Sequence, residues 1–298
     1  MIKFKYNEIT DYLLVDPKFI SKGIEYANKN KLESIKISPL NAYDIYGFTS
    51  SKQLYSFKLD VSSLKQVSSI RRLGLSDHIG LNSEGILGFY AFKDLNSLSF
   101  EHPSVKLDFS NFKKLETLYF KYNKGVANLG TLKELKDLLI FSLNVPNCEI
   151  LSELTALEML RLTRGNFTTL KGIENLKRVT RIDVAYNSKL TDAKALAVLP
   201  SLEKLHIEKC KLLTDFSFLK GNTSIKELFI DSLDSLEFVS TMPNLEKINF
   251  WFCKDGNMKP LLESKSLKQI NFYPNKKHYT HTIEEIIELT GAQRGRNK

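Results

Sequence analysis

Near the C-terminus the stretch "HYTH" places His278 and His281 just ahead of Glu284 and Glu285. Imidazole and carboxylate donors hold zinc when they share a face and a further ligand joins them. Two histidines in a loop are a thin basis for that chemistry. The plainer reading is a surface loop that enters a helix. Cys148, Cys210 and Cys253 could supply thiolates, but they lie far apart and form no CxxC pair. That spacing argues against both a disulfide framework and a zinc site. The chain has no glycine-rich phosphate loop, no GxSxG and no HExxH. No catalytic residue, metal ligand or cofactor is assigned on this basis. Any function then has to reside on a surface, so the question becomes which elements build one.

The 298 residues are 42% hydrophobic and 26% charged, the composition of a globular chain long enough to bury a large core. No apolar run reaches the roughly 18 residues of a membrane span. The N-terminus, "MIKFKYNEITDYLLVDP", does not read as a signal peptide. With the sparse, odd cysteine count, this leads to an expected cytoplasmic location. The formal net charge of +9 makes an acidic partner plausible, either a nucleic acid or an acidic protein surface.

An internal repeat dominates the chain. The pattern Leu-x-x-Leu-x-Leu, with other aliphatics or Phe allowed, begins at Leu32, Leu54, Ile70, Leu95, Leu115, Leu135, Leu157, Val179, Leu202, Ile225, Leu245 and Leu267. These 12 units recur about every 21 residues. The steps around Ile70 are uneven, and that unit is the least regular. Eight residues after the anchor stand Asn123, Asn187, Cys210, Cys253 and Asn275, whereas Leu143, Gly165 and Leu233 fill the same slot elsewhere.

This pattern resembles the leucine-rich repeat family, in its short bacterial internalin-like or SDS22-like form, over roughly residues 30–275. The resemblance implies an α/β solenoid, a horseshoe with a parallel β-sheet on its concave side and short 3-10, helical or irregular segments on its convex side. It also implies that the Asn or Cys slot hydrogen-bonds neighbouring turns, so turns with Leu or Gly there should be less regular. The register makes Cys210 and Cys253 structural. Residues 1–31 are expected to cap the N-terminal end, with Asp16 capping and Pro17 opening a helix whose Ile20, Ile24 and Ala27 face inward. The solenoid is expected over 32–277. A capping helix should fill 278–291, with Thr282 and Glu285 as a capping box and Gly291 as its end. Residues 292–298 are expected to be a disordered basic tail.

Within each strand the residues two, four and six after the anchor should point outward by alternation. These 36 positions carry eight Lys or Arg and seven Asp or Glu, so most of the +9 lies elsewhere. A nucleic-acid groove would concentrate cations there. Mixed signs fit a protein partner, where complementarity sets register. The large outward side chains cluster after residue 115. Tyr119, Leu139, Phe141, Arg161, Asp183, His206, Phe229, Asp231, Trp251 and Tyr273 are the candidate binding residues, and Trp251 is the only tryptophan. Aromatics and Arg dominate interface energetics. The competing reading is that these rings stack between strands and stiffen the sheet.

The favoured function is a non-catalytic scaffold, a monomer on its own, that grips one protein, with an inhibitor or immunity-type protein neutralising a toxin as one form. The alternative is a basic nucleic-acid or anionic-surface binder. A third reading puts an enzyme or enzyme-adaptor site in the irregular segment 76–94.

Overall fold

The computed structural model describes residues 1–42, 58–67 and 69–295. The chain divides into two units, Met1–Phe141 and Ser142–Lys298. Each is built from the repeat in the same way.

The first unit opens with a feature the repeat did not announce. Strands β1 (Phe4–Asn7) and β2 (Tyr12–Val15) form an antiparallel hairpin. Asp16 then accepts a hydrogen bond from Lys18 N at 3.1 Å, capping a 3-10 turn at Pro17–Phe19 that leads into α1 (Ile20–Asn30). The expected helix is present, and Ile20, Ile24 and Ala27 are its buried face. Asp16 is fully buried, and its second oxygen accepts from the backbone and side-chain amides of Asn41. From β2 the sheet continues in parallel through β3 (Ser34–Ile37).

The unit anchored at Leu54 departs from expectation. Residues 54–57 lie outside the described residues. The following β4 (Lys58–Leu59) does not join the main sheet. The next main-sheet strand is β5 (Arg72–Leu75), which pairs directly with β3, Ser34 opposite Arg72. Strand β4 instead pairs with β6 (Gly80–Leu81) in a small separate sheet, and α2 (Ser83–Phe89) follows. The strand of the unit at Ile70 therefore takes a regular place in the main sheet, and β4 does not. Gly85 shows why α2 sits where it does: a Cβ there would lie 2.4 Å from Leu59 O, so the helix lies against β4 only without a side chain. Regular stacking resumes with β7 (Ser97–Phe100), β8 (Thr117–Lys121) and β9 (Asp137–Phe141). Their inward residues align in one row, Leu73 against Leu98, Leu118 and Leu138, all fully buried. Phe100, Phe109, Phe112 and Phe120 pack edge-on and tilted behind them. No single repeat can bury such a row alone, so stacking supplies the core.

The second unit is the more regular. Strands β10 (Met159–Thr163), β11 (Arg181–Ala185), β12 (Lys204–Glu208), β13 (Glu227–Leu233), β14 (Lys247–Cys253) and β15 (Gln269–Phe272) pair in parallel in chain order. Their buried row runs Leu160, Ile182, Leu205, Leu228, Ile248, Ile270. Opposite the strands lie 3-10 turns at Glu149–Leu151, Lys194–Val198, Ser217–Leu219 and Val239–Thr241, and the short helix α3 (Lys259–Glu263). The last helix, α4 (Ile283–Thr290), carries the full capping box between Thr282 and Glu285, and Gly291 ends it at φ 68°. Part of the expected disordered tail is ordered: β16 (Gln293–Arg294) pairs in parallel with β15, and Arg294 bonds Glu284 at 2.9 Å. The cause is the unpaired edge of β15, which offers backbone partners to the next segment.

The repeat slot behaves as follows. Asn187 is fully buried, donates to Phe167 O at 3.0 Å and accepts from Lys189 N at 3.1 Å. Asn123 donates to Val105 O in the same manner. Cys210 makes only long contacts, 3.8 Å to Val184 O and 3.5 Å to Glu208 O. Asn275 does not serve a neighbouring turn; it donates to Glu284 and accepts from Ile283 N at the start of α4. The residues preceding four successive slots, Ser142, Arg164, Tyr186 and Lys209, share a left-handed backbone with φ between 54° and 59°. Turns with Leu143 or Gly165 in the slot therefore adopt the same kink as those with Asn187 or Cys210, and the expected irregularity does not appear there.

Candidate functional site

Alternation puts the outward residues where the sequence placed them. In β10 and β11 the burial pattern alternates strictly, leaving Met159, Arg161 and Thr163, then Arg181, Asp183 and Ala185 half-buried on the outward face. The side chains on the solvent face of the second unit then sort into two bands.

The band nearer the strand starts is internally neutralised. Arg181 bonds Asp183 two residues along, with guanidinium nitrogens 2.9–3.2 Å from the carboxylate, and this partner raises the Arg181 pKa further. Glu227 sits between Lys204 at 3.1 Å and Lys247 at 3.3 Å. Burial pushes its carboxyl up, but the two ammonium groups outweigh that and hold it below the ordinary glutamate value.

A second band, from the strand middles to their ends, is aromatic and acidic. His206 of β12 stacks on Phe229 of β13, with centroids 4.2 Å apart and planes 12° from parallel. Phe229 meets Trp251 of β14 edge-on at 5.3 Å and 84°. The Lys209 ammonium lies 4.7 Å from the centre of the Trp251 ring. Glu208 bonds His206 Nε2 at 3.2 Å, and Asp231 accepts from Lys209 N at 2.8 Å. Trp251 remains 38% exposed. His206, Phe229, Asp231 and Trp251 are thus brought together, and Asp183 and Arg161 lie on the adjoining strands.

Tyr273 is not part of the ring cluster. It follows β15 and is 62% exposed. Tyr119, Leu139 and Phe141 belong to the first unit, where β8 and β9 set Tyr119 opposite Leu139 and Lys121 opposite Phe141; all are half-buried, and Tyr119 donates to Asp137 at 2.5 Å. The rings therefore do stack, as the competing reading held, and Trp251 still keeps a free surface.

Strand β14 extends to Cys253, and Phe252 lies within it, 37% exposed beside His278 at 5.8 Å. Consecutive exposure of Trp251 and Phe252 breaks alternation at the strand end. Lys209 was missed. Its role depends on the left-handed kink after β12, which no local motif marks.

The chemistry first considered can now be placed. His278 Nε2 donates to Cys253 O at 3.1 Å, and His281 bonds Thr280, so the two rings serve the loop before α4. Among the described residues, no group of three or more His, Cys, Asp or Glu is placed to hold a metal ion. The three thiols are buried, and burial pushes Cys148 up to about 12, Cys210 to about 11 and Cys253 to about 12. Segment 76–94 contributes Asp94 to an open cavity of about 390 Å³, lined also by Arg71, Asn96, Lys114, Glu116 and Glu134, where Arg71 and Lys114 pair with Asp94 and Glu116 with Lys136. Among the described residues no helix is long and apolar enough to cross a membrane.

Parallel strands one per repeat, 3-10 turns opposite them and a bonded Asn slot define a leucine-rich repeat solenoid. Comparison with solved structures agrees. The chain is similar to an internalin, inlF, of Listeria monocytogenes, at 17% identity and a TM-score of 0.62, covering 97% of this chain and 87% of that one. It is similar to a leucine-rich repeat protein of Leptospira interrogans, at 19% identity and 0.57, covering 98% and 80%. It also resembles TLR13 in its complex with ssRNA13, at 16% identity and 0.56, covering 89% and 43%. No family model and no curated protein matches the chain. The expectation of a cytoplasmic location is overturned by the likeness to internalins, which are surface or secreted bacterial proteins.

Proposed function

We propose that the solvent face of the second unit's sheet binds a protein, without catalysis. The observation that carries this reading is the exposed Trp251, which meets Phe229, itself stacked on His206, and is flanked by charges of both signs. Such an aromatic, fixed at low entropic cost, is the usual energetic centre of an interface. Inhibition, including an immunity-type protein that neutralises a toxin, is one form this binding would take, and it would use the same face. TLR13 was solved with ssRNA13, but here Lys204, Lys247 and Arg181 are already paired with carboxylates. Phosphate binding would have to break those pairs, which disfavours the nucleic-acid alternative.

The test is capture of a specific protein by the wild-type chain, followed by affinity measurement with variants. Trp251→Ala should weaken binding by a hot-spot increment of about 2 kcal/mol, some 30-fold, with little change in Tm. Phe229→Ala should weaken binding as well, but it should also lower Tm, because Phe229 is half-buried between His206 and Trp251. Unchanged affinity in both variants would refute the assignment of this face.

A further inference from the structure

The aromatic band has an unbalanced charge. Asp183 and Glu227 on the same face are ion-paired. Among the described residues Glu208 is engaged by His206 and Asp231 by a backbone N–H. Two carboxylates therefore flank the His206–Phe229–Trp251 wall with no Lys or Arg of the described residues in an ion pair with them. The face of the Trp251 ring is already occupied by a cation, the chain's own Lys209, whose ammonium pairs with no carboxylate among the described residues. The ring quadrupole attracts a cation there, and neighbouring anions strengthen that attraction.

We infer that this is a recognition pocket for an arginine side chain presented by the protein partner, an inference that rests on the protein-binding reading above. The guanidinium stacks on Trp251 and bonds Glu208 or Asp231, and it displaces Lys209 from the ring. Arginine fits better than lysine because a planar fork can stack and bond a carboxylate at once, whereas an ammonium is a strongly hydrated point charge. The net charge of +9 opposes approach by a highly basic partner, so the fit is to one arginine in a locally presented segment rather than to a polycation.

Because Trp251 is the only tryptophan, its fluorescence reads this pocket directly. The probe is acetyl-Gly-Arg-Gly-amide, titrated into the full chain beside peptides with citrulline, lysine or glutamate in place of arginine. The arginine peptide should give a saturable change in emission at roughly millimolar concentration, with the citrulline peptide at least about tenfold weaker. The double variant Glu208→Gln, Asp231→Asn keeps one acceptor oxygen on each side chain but removes both charges, and it should lose about tenfold in affinity. Lys209→Ala frees the ring and should bind a few-fold more tightly. A thermal melt confirms that each variant is folded, and the single Asp231→Asn variant stands in if the double variant is not.

Equal response to arginine and citrulline, retention of affinity in the charge-removed variant, or weaker binding in Lys209→Ala overturns the inference. A response to the glutamate peptide that needs Lys209 overturns it in favour of an acidic partner. If the arginine peptide fails while Trp251→Ala still weakens capture of a protein, this inference falls and the protein-binding reading stands. If peptide binding is found but capture ignores Trp251, the pocket stands and the protein-binding reading falls.

Discussion

Replacing Asn187 with alanine should unfold the second unit more easily by about 2–4 kcal/mol. The side chain is fully buried and makes two bonds, one to Phe167 O a repeat earlier and one to Lys189 N just ahead. Alanine leaves the carbonyl of buried Phe167 without its donor, a cost of about 1–3 kcal/mol. Lys189 is exposed, so water can reach its amide, and that loss is nearer to the net value of one ordinary bond, about 1 kcal/mol. Urea unfolding followed by circular dichroism measures the sum. With m on the order of 3 kcal/mol/M, the midpoint should fall by about 1 M at unchanged m. Two further variants separate the causes. Asn187→Cys keeps a weak donor, as Cys210 does one turn on, and should recover part of the loss. Asn187→Asp faces the Phe167 carbonyl with a charge, so it should be worse than alanine at neutral pH and improve in acid, when the protonated carboxyl can donate. A cost below about 0.5 kcal/mol for Asn187→Ala, or an aspartate variant no worse than alanine, would refute the claim that this slot bonds consecutive turns.

Other expectations follow from the same geometry. Arg164 is exposed at φ 55°, so Arg164→Gly should be neutral to stabilising, whereas Arg164→Val should cost about 1–2 kcal/mol by chemical denaturation. The Glu227 carboxyl titrates lower when folded than unfolded, so its contribution is complete above the unfolded value of about 4.3 and is lost as pH falls through the depressed folded value. Glu227→Gln should therefore lower stability at pH 7 and flatten the acid limb of the stability profile, so that variant and wild type converge at low pH. The three buried thiols, with pKa values raised to about 11–12, should resist alkylation in the native protein at pH 8 and all react in urea. A fast-reacting thiol in the native state would mean that its repeat opens locally.

The repeat made most of this fold legible because each strand buries its own Leu-x-x-Leu-x-Leu set. The inward row from Leu160 to Ile270 follows directly from the anchors. Two kinds of feature were not legible. The Leu54 anchor satisfies the pattern, yet its segment pairs β4 with β6, because 38 residues separate the starts of the neighbouring sheet strands at Ser34 and Arg72. Pattern alone does not say which strand a segment pairs with. The left-handed residues Ser142, Arg164, Tyr186 and Lys209 have no common type, since the kink is imposed by stacking rather than by a local preference for glycine. The candidate site divides along the same line. Alternation placed Phe229 and Trp251 on the solvent face, but the Lys209 contact needs the kink and the extra exposed residue of β14, neither of which has a period.

Stacking and binding, set against each other in the sequence, cooperate in the structure. A lone tryptophan on a flat sheet would sample several rotamers and lose that freedom on binding, at about 0.5–1.5 kcal/mol for a mobile side chain. Here the edge of Phe229 lies on one side of Trp251 and the Lys209 ammonium lies over its face, while Phe229 is itself held by His206. The indole is oriented before a partner arrives, so less ordering remains to be done at contact. The wall that stiffens the sheet therefore also prepares the surface. Removing His206 should show it: His206→Ala leaves Trp251 in place but unsupported at second hand, and should weaken partner binding several-fold with faster dissociation. If His206→Ala changes stability alone and leaves dissociation untouched, the wall is only structural.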